Sequence, residues 1–174
     1  MMVLAACSTA PTTPPTVTSL GYRQPTTAPT ALPVSTITRG AAVDAVLAFF
    51  DALNHGLQTG DADPMRRMAA MSCGPCTEWV MRVQRQHDEG VRQQGGRIYV
   101  VGMVALGEDG VDFLFRASVL QESGTLTGPD GTPRPIAAGG KAELIDLRVG
   151  PDLSVRAAGP QWMVKTITLT DLAK

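Results

Sequence analysis

From residue 40 onward the chain moves from one hydrophobic period to another. In "AAVDAVLAFFDALNHGLQTGD" the residues Val43, Val46, Leu47, Phe50, Leu53 and Leu57 recur at mostly three- and four-residue spacings. That pattern is one face of an α-helix. Thr38 is placed to cap its start and Gly60 its end. "DADPMRRMAAMS" predicts a short second helix, with Asp63 as N-cap, Pro64 at the first helical position, and Met65, Met68 and Ala69 on one face. In "GPCTEWVMRVQRQHDEGVRQQGG" the residues Cys76, Trp79, Val80, Val83 and His87 form one stripe. This predicts a third helix, ended near Gly95-Gly96.

The remainder reads as strands. "RIYVVGMVAL" is a β-branched and apolar run after a glycine pair. "GVDFLFRASVLQ" alternates, with Val111, Phe113, Phe115, Ala117 and Val119 facing one way. "KAELIDLRVG" and "QWMVKTITLT" are two more strands. Between the second and third lies "ESGTLTGPDGTPRPIAAGG", a long Gly/Pro-rich loop of the kind that is functional or mobile. Helices first and adjacent strands afterwards predict an α+β domain over residues 39–174, three N-terminal helices packed on a curved antiparallel sheet of about four strands.

The amino-terminal stretch has a different character. Leu4-Ala5-Ala6-Cys7 has the form of a bacterial lipobox, a branched apolar residue three before the cysteine and two small residues just before it. The resemblance implies that Cys7 is lipidated on sulfur and that the chain is cut before it, leaving residues 1–6 as the remnant of a signal peptide. Those six residues hold no basic region and no full apolar region, so export requires a start further upstream. Residues 7–38 follow as a Thr/Pro-rich tether. Proline removes backbone donors and little apolar surface is available, so the tether is expected to be disordered. At roughly 3 Å per residue in a polyproline-like form it lifts a domain clear of a membrane. Such Ser/Thr/Pro stalks are also typical substrates for O-glycosylation.

Composition narrows the function classes. A hydrophobic share of 44% supports a core, and a net charge of −1 gives no electrostatic attraction to nucleic acid or anionic lipid. No apolar run reaches the roughly 18 residues of a transmembrane helix. No P-loop, Rossmann glycine pattern or serine elbow is present. No catalytic residue and no cofactor is assigned.

The order of elements resembles the cystatin/SnoaL-like cone of nuclear transport factor 2-like domains. "AFFDALNHGLQTGDADPMRRM" is similar to the first two helices of that class, and "GPQWMVKTITL" to its final strand. More narrowly, "FFDALNHGLQTGD", a close cysteine pair after the second helix and "GGRIYVV", on a lipobox and a Thr/Pro stalk, resemble the actinobacterial lipoproteins called domain of unknown function 6318. The resemblance implies a fold and a location and brings no activity. It also implies a cone, with His87, Trp79, Phe113, Phe115 and Trp162 as candidate cavity residues, and a homodimer through the sheet.

"CGPC", Cys73 to Cys76, is the thioredoxin active-site tetrapeptide. A thioredoxin site follows a buried strand, whereas here a helical pattern precedes Cys73, so that fold is not expected. Two readings of the pair stay open. One is a disulfide that staples the second helix to the third. The other is a redox pair, with Cys73 as nucleophile at the start of the third helix and Cys76 as resolving thiol. A zinc site would need four ligands, and the pair supplies two, so no metal is assigned. SnoaL-like enzymes place a His and an Asp in the cone. His87 would then need a facing acid such as Asp112 or Asp146. His55, near the end of the first helix, reads as a half-buried helix residue.

The expected function is therefore a surface-anchored extracytoplasmic lipoprotein domain. It is held to the cell membrane by a lipid on Cys7 and binds a small apolar ligand or a cell-envelope partner. The alternative is a tethered thiol–disulfide oxidoreductase, and a weaker one is a lyase or isomerase built on His87.

Overall fold

Thr38 opens the first helix. Its backbone is extended and its hydroxyl accepts from the Ala41 N–H at 3.2 Å. The structure, a computed structural model, describes residues 37–152 and 161–170. Cys7 and the tether before residue 37 lie outside the described residues.

Helix α1 (Arg39–Thr59) ends at Gly60, left-handed at φ 83°, whose N–H donates to Gly56 O at 2.7 Å. Its buried stripe is Ala42, Val46, Phe49, Phe50 and Leu53. Relative to the expected stripe this face is rotated. Leu47 is 42% exposed, and Phe49 is fully buried in its place. Two adjacent phenylalanines satisfy helical spacing equally well, and only packing partners choose between the two registers. Helix α2 (Asp63–Met68) starts one position early, with Ala62 as the cap and Asp63 inside the first turn. Asp61 Oδ1 accepts the Asp63 N–H at 3.0 Å and fixes that entry.

Helix α3 (Gly74–Asp88) is shorter than expected. It stops where Gly90 turns left-handed at φ 68°. The Gly90 N–H returns to His87 O at 2.9 Å and the Val91 N–H to Gln86 O at 2.8 Å. These bonds consume the last carbonyls as a glycine-terminated helix end does. The next residues leave as β1 (Arg92–Gly95).

Strands β2 (Ile98–Asp109) and β3 (Asp112–Gln121) form a long hairpin. The Gly/Pro-rich stretch after them folds into β4 (Gly124–Thr127) and β5 (Pro133–Ile136). Asp130 closes the turn between the two, accepting from the Thr132 N–H at 3.0 Å and the Thr132 hydroxyl at 2.8 Å. Strands β6 (Glu143–Asp152) and β7 (Gln161–Leu169) complete the set. The main sheet runs β2-β3-β6-β7, every pair antiparallel, and a small second sheet runs β1-β4-β5. The architecture is α+β, with the helices on one face of the antiparallel sheet.

The core sits between that face and the helices. Phe113, Phe115, Ala117 and Val119 point inward beside Ile145, Leu147 and Val149, and Trp162 and Val164 extend the layer. Val111, expected in the same row, lies exposed in the turn before β3. Burial of each large side chain contributes about 1.5–3 kcal/mol. Asn54 is the buried polar exception on α1. Its Nδ2 donates to Ile98 O and its Oδ1 accepts the Ile98 N–H, both at 2.8 Å. One side chain thus fastens α1 to the first residue of β2.

Candidate functional site

Inward residues on β3 and β6 alternate with a row that faces away from the helices, because side-chain direction has period two along a strand. That row holds Asp112, Leu114 and Arg116 on β3 and Leu144, Asp146 and Arg148 on β6. Arg116 pairs with Asp146 through two parallel bonds, Nε to Oδ1 at 2.7 Å and Nη2 to Oδ2 at 2.9 Å. Arg148 Nε donates to Asp112 Oδ2 at 2.7 Å, and Lys165 Nζ reaches Asp112 Oδ1 at 2.5 Å. Arg148 also pairs with Asp109 at 2.7 Å. Asp112 is only 5% exposed. Burial pushes its carboxyl up, but the hydrogen bonds from Lys165 and Arg148 outweigh that and hold it below the usual carboxylate range. Gly150 lies directly under this carboxylate, and any larger residue there would collide with it.

The outer face meets an apolar edge. β2 is an edge strand twelve residues long, and β3 is its neighbour in the sheet. Register shifts at Val100/Gly102 and Ala105/Gly107 leave Val101 and Leu106 without an opposite residue on β3. Each bulge resets the alternation, so that Val100, Met103 and Ala105 all lie opposite inward residues of β3. The bulged residues and Val104 turn outward. Val101 is 57% exposed, Val104 58% and Leu106 50%.

The opposite edge of the sheet is handled differently. Ala69 makes a parallel bridge to Val164 on β7, and the Ala70 N–H donates to Val164 O at 2.9 Å. The chain then turns into α3 through the Cys73–Cys76 disulfide. Cys73 Sγ also accepts the Cys76 N–H at 3.3 Å and caps the helix. Cys73 is 1% exposed and Cys76 0%. A redox pair needs a sulfur that an incoming thiolate can reach, and neither is open to one.

The sequence-predicted cavity residues separate. Phe113 packs on Phe115 and Trp162, with ring centroids 6.4 and 6.0 Å apart. Trp79 packs 6.0 Å from both Phe49 and Phe50. These rings fill the space between helices and sheet. His87 is exposed at the end of α3, on a cleft of about 160 Å³ that also touches Gly60, Gln86 and Arg92. Asp112 and Asp146 face the other side of the sheet and are held by their own cations, so no His–Asp pair assembles in the interior. His55 is half-buried and faces Asp61 at 3.8 Å. A shallower cleft of about 370 Å³ lies beside the disulfide turn, bordered by Met71, Ser72, Met163 and Lys165. Among the described residues, no group of three or more His, Cys, Asp or Glu is placed to hold a metal, and no helix is long and apolar enough to cross a membrane. Sequence reasoning missed the Asp112 network and the bulged edge. The first had a signal in the charged residues at outward positions of β3 and β6, and the second had one in Gly102 and Gly107 within an apolar strand.

No protein-family profile matches the chain, and no curated protein is detectably similar in sequence. Solved structures are similar in fold. The intermembrane space region of the chloroplast protein ARC6 superposes over 76% of this chain and 95% of its own, at 10% identity and a TM-score of 0.52. A proposed aromatic ring hydroxylase from Novosphingobium aromaticivorans does so over 79% of this chain and 93% of its own, at 13% identity and 0.50. A domain of unknown function with a cystatin-like fold from Nostoc punctiforme aligns over 77% of this chain and 82% of its own, at 14% identity and a TM-score of 0.45. At such identities the likeness is one of fold, helices laid on an antiparallel sheet. No activity travels with it.

Proposed function

We propose that this chain is a lipid-anchored, extracytoplasmic domain of the lipoprotein family called domain of unknown function 6318, and that it docks a protein of the cell envelope on the β2 edge and outer face of its main sheet. The carrying observation is where the apolar surface lies. The interior is packed with rings, whereas Val101, Val104 and Leu106 stand in solvent on an edge strand. A filled interior favours a protein partner over a small apolar ligand. An exposed apolar edge is a ready template for pairing with another chain. The lipobox ending at Cys7 and the Thr/Pro stretch after it support the anchored, extracytoplasmic location.

Photo-crosslinking in cells from a probe at Val101 tests this. The expected result is a product of defined mass larger than the monomer, lost in Val104→Asp. That substitution leaves folding intact, because exposed changes stay within about 0.5 kcal/mol. A product of twice the monomer mass would point instead to a second copy, the homodimer through the sheet. No product at all would overturn the reading.

A further inference from the structure

Helix α1 runs alongside β2 and is fastened to it at two points. Arg39 Nη2 lies 3.3 Å from Glu108 Oε1 near one end of the strand, and Asn54 holds both backbone groups of Ile98 at the other. At 3.6 residues per turn, Val43 and Leu47 fall on the same side of the helix between those two points. The middle of this stripe does not close on the strand. Met103 and Ala105 lie opposite inward residues of β3, on the helix side of the sheet, yet Met103 is only half-buried and Ala105 is exposed. Leu47 is 42% exposed and Val43 half-buried. A groove with apolar walls therefore separates α1 from the edge of β2.

The backbone along this groove offers a strand's bonding pattern. In an antiparallel pair, alternate residues turn their N–H and C=O to the neighbouring strand and the others turn them away. The Glu122 N–H donates to Arg97 O at 2.9 Å, so even-numbered residues of β3 bond toward β2. Ser118 and Arg116, of that parity, lie opposite Gly102 and Val104. Met103 and Ala105 therefore turn their backbone groups to the edge, as Ile98 does where Asn54 receives them. Among the described residues β2 has no second strand beside it. The helix rim adds charge. Asp44 and Asp51, three before and four after Leu47, are exposed. Neither has a cation partner among the described residues, whereas Asp109, Asp112 and Asp146 on the outer face are all paired. The uncompensated charge at this edge is negative.

We propose that the partner enters this groove as an extended, basic and apolar segment that adds a strand to β2. Its backbone bonds to Met103 and Ala105, in the regular stretch between the two bulges. Alternate apolar residues pack between Leu47 and Met103, and a lysine or arginine reaches Asp44 and Asp51 at the helix rim. This rests on the docking reading above and narrows it from a surface to a class of peptide.

A random heptapeptide phage library selected on the full chain tests the groove without any cellular partner. The expected winners carry apolar residues at alternate positions together with lysine or arginine, and lack aspartate and glutamate. As synthetic peptides they should shift the amide resonances of Met103 and Ala105. They should bind about tenfold more weakly to Asp44→Lys/Asp51→Lys and to Leu47→Asn, variants that change only exposed positions and so keep the fold. No enrichment, acidic winners, shifts confined to another face, or binding that neither variant weakens overturns the proposal. The crosslink from Val101 reports separately on docking. A product that survives both variants overturns the groove and leaves the docking reading standing. Peptide binding as expected, with no crosslink in cells, overturns the envelope partner and supports the groove.

Discussion

At the scale of single residues, Asp112 and Asn54 are buried polar side chains, each tied to partners on another element of the fold. The folded pKa of Asp112 lies below the ordinary aspartate value of 3.8. A depressed carboxyl contributes stability that is present above the unfolded value and lost as pH falls through the folded one. The unfolding free energy should therefore decline below about pH 3.8. Asp112→Asn should lower stability at pH 7 by about 1.5–3 kcal/mol. The same variant should flatten the acid decline, measured by urea unfolding at a series of pH values. A residual slope remains from Asp146, which its hydrogen bonds with Arg116 hold below the usual range. An acid limb as steep in the variant as in the wild type would show that Asp112 does not carry it. Asn54 shows what a sequence conceals at this scale. It follows Leu53 on a helix face that is otherwise apolar, which is visible. Its partner is a backbone group 44 positions away, fixed only when β2 lands beside α1.

At the scale of elements, patterning located the three helices and the four strands of the main sheet, because each has an apolar face of clear period. It failed where an element lacks one. β1 reads Arg-Gln-Gln-Gly and was absorbed into the end of α3, although Gly90 already carried a stop signal. β4 and β5 are four residues each and flank Pro129-Asp130-Gly131, a turn sequence with a known mechanism that was hidden inside a Gly/Pro-rich stretch. The α2–α3 junction yields a prediction at this level. With both sulfurs buried against β7, the Cys73–Cys76 bond should resist glutathione in the native domain. It should be reduced readily in denaturant, followed by thiol-trapping mass shift. Rapid reduction without denaturant would restore the oxidoreductase alternative. Removing the bond as Cys73→Ala/Cys76→Ala should cost roughly 2 kcal/mol, the chain-entropy value for so small a loop.

At the scale of the whole molecule, the α+β layering followed from the sequence because helical and strand periods are segregated along the chain. The site did not follow in the same way. It lies on the outside of the sheet, where bulges and ion pairs are set by register rather than by hydrophobic period. Anchoring is testable at this scale. Cys7→Ser should move the protein from the membrane fraction to the soluble fraction of lysed cells, judged by immunoblot, and abolish incorporation of a labelled fatty acid. Retention in the membrane with no label would point to an anchor other than a lipid on Cys7. The position of Thr38 has a mechanical consequence. A domain held by its amino end receives any pull through the first turn of α1. That helix is the one whose Val46, Phe49 and Phe50 are seated in the core. If the domain is held by its amino end, the seat of this apolar stripe in the core is the first part of the described fold to bear load.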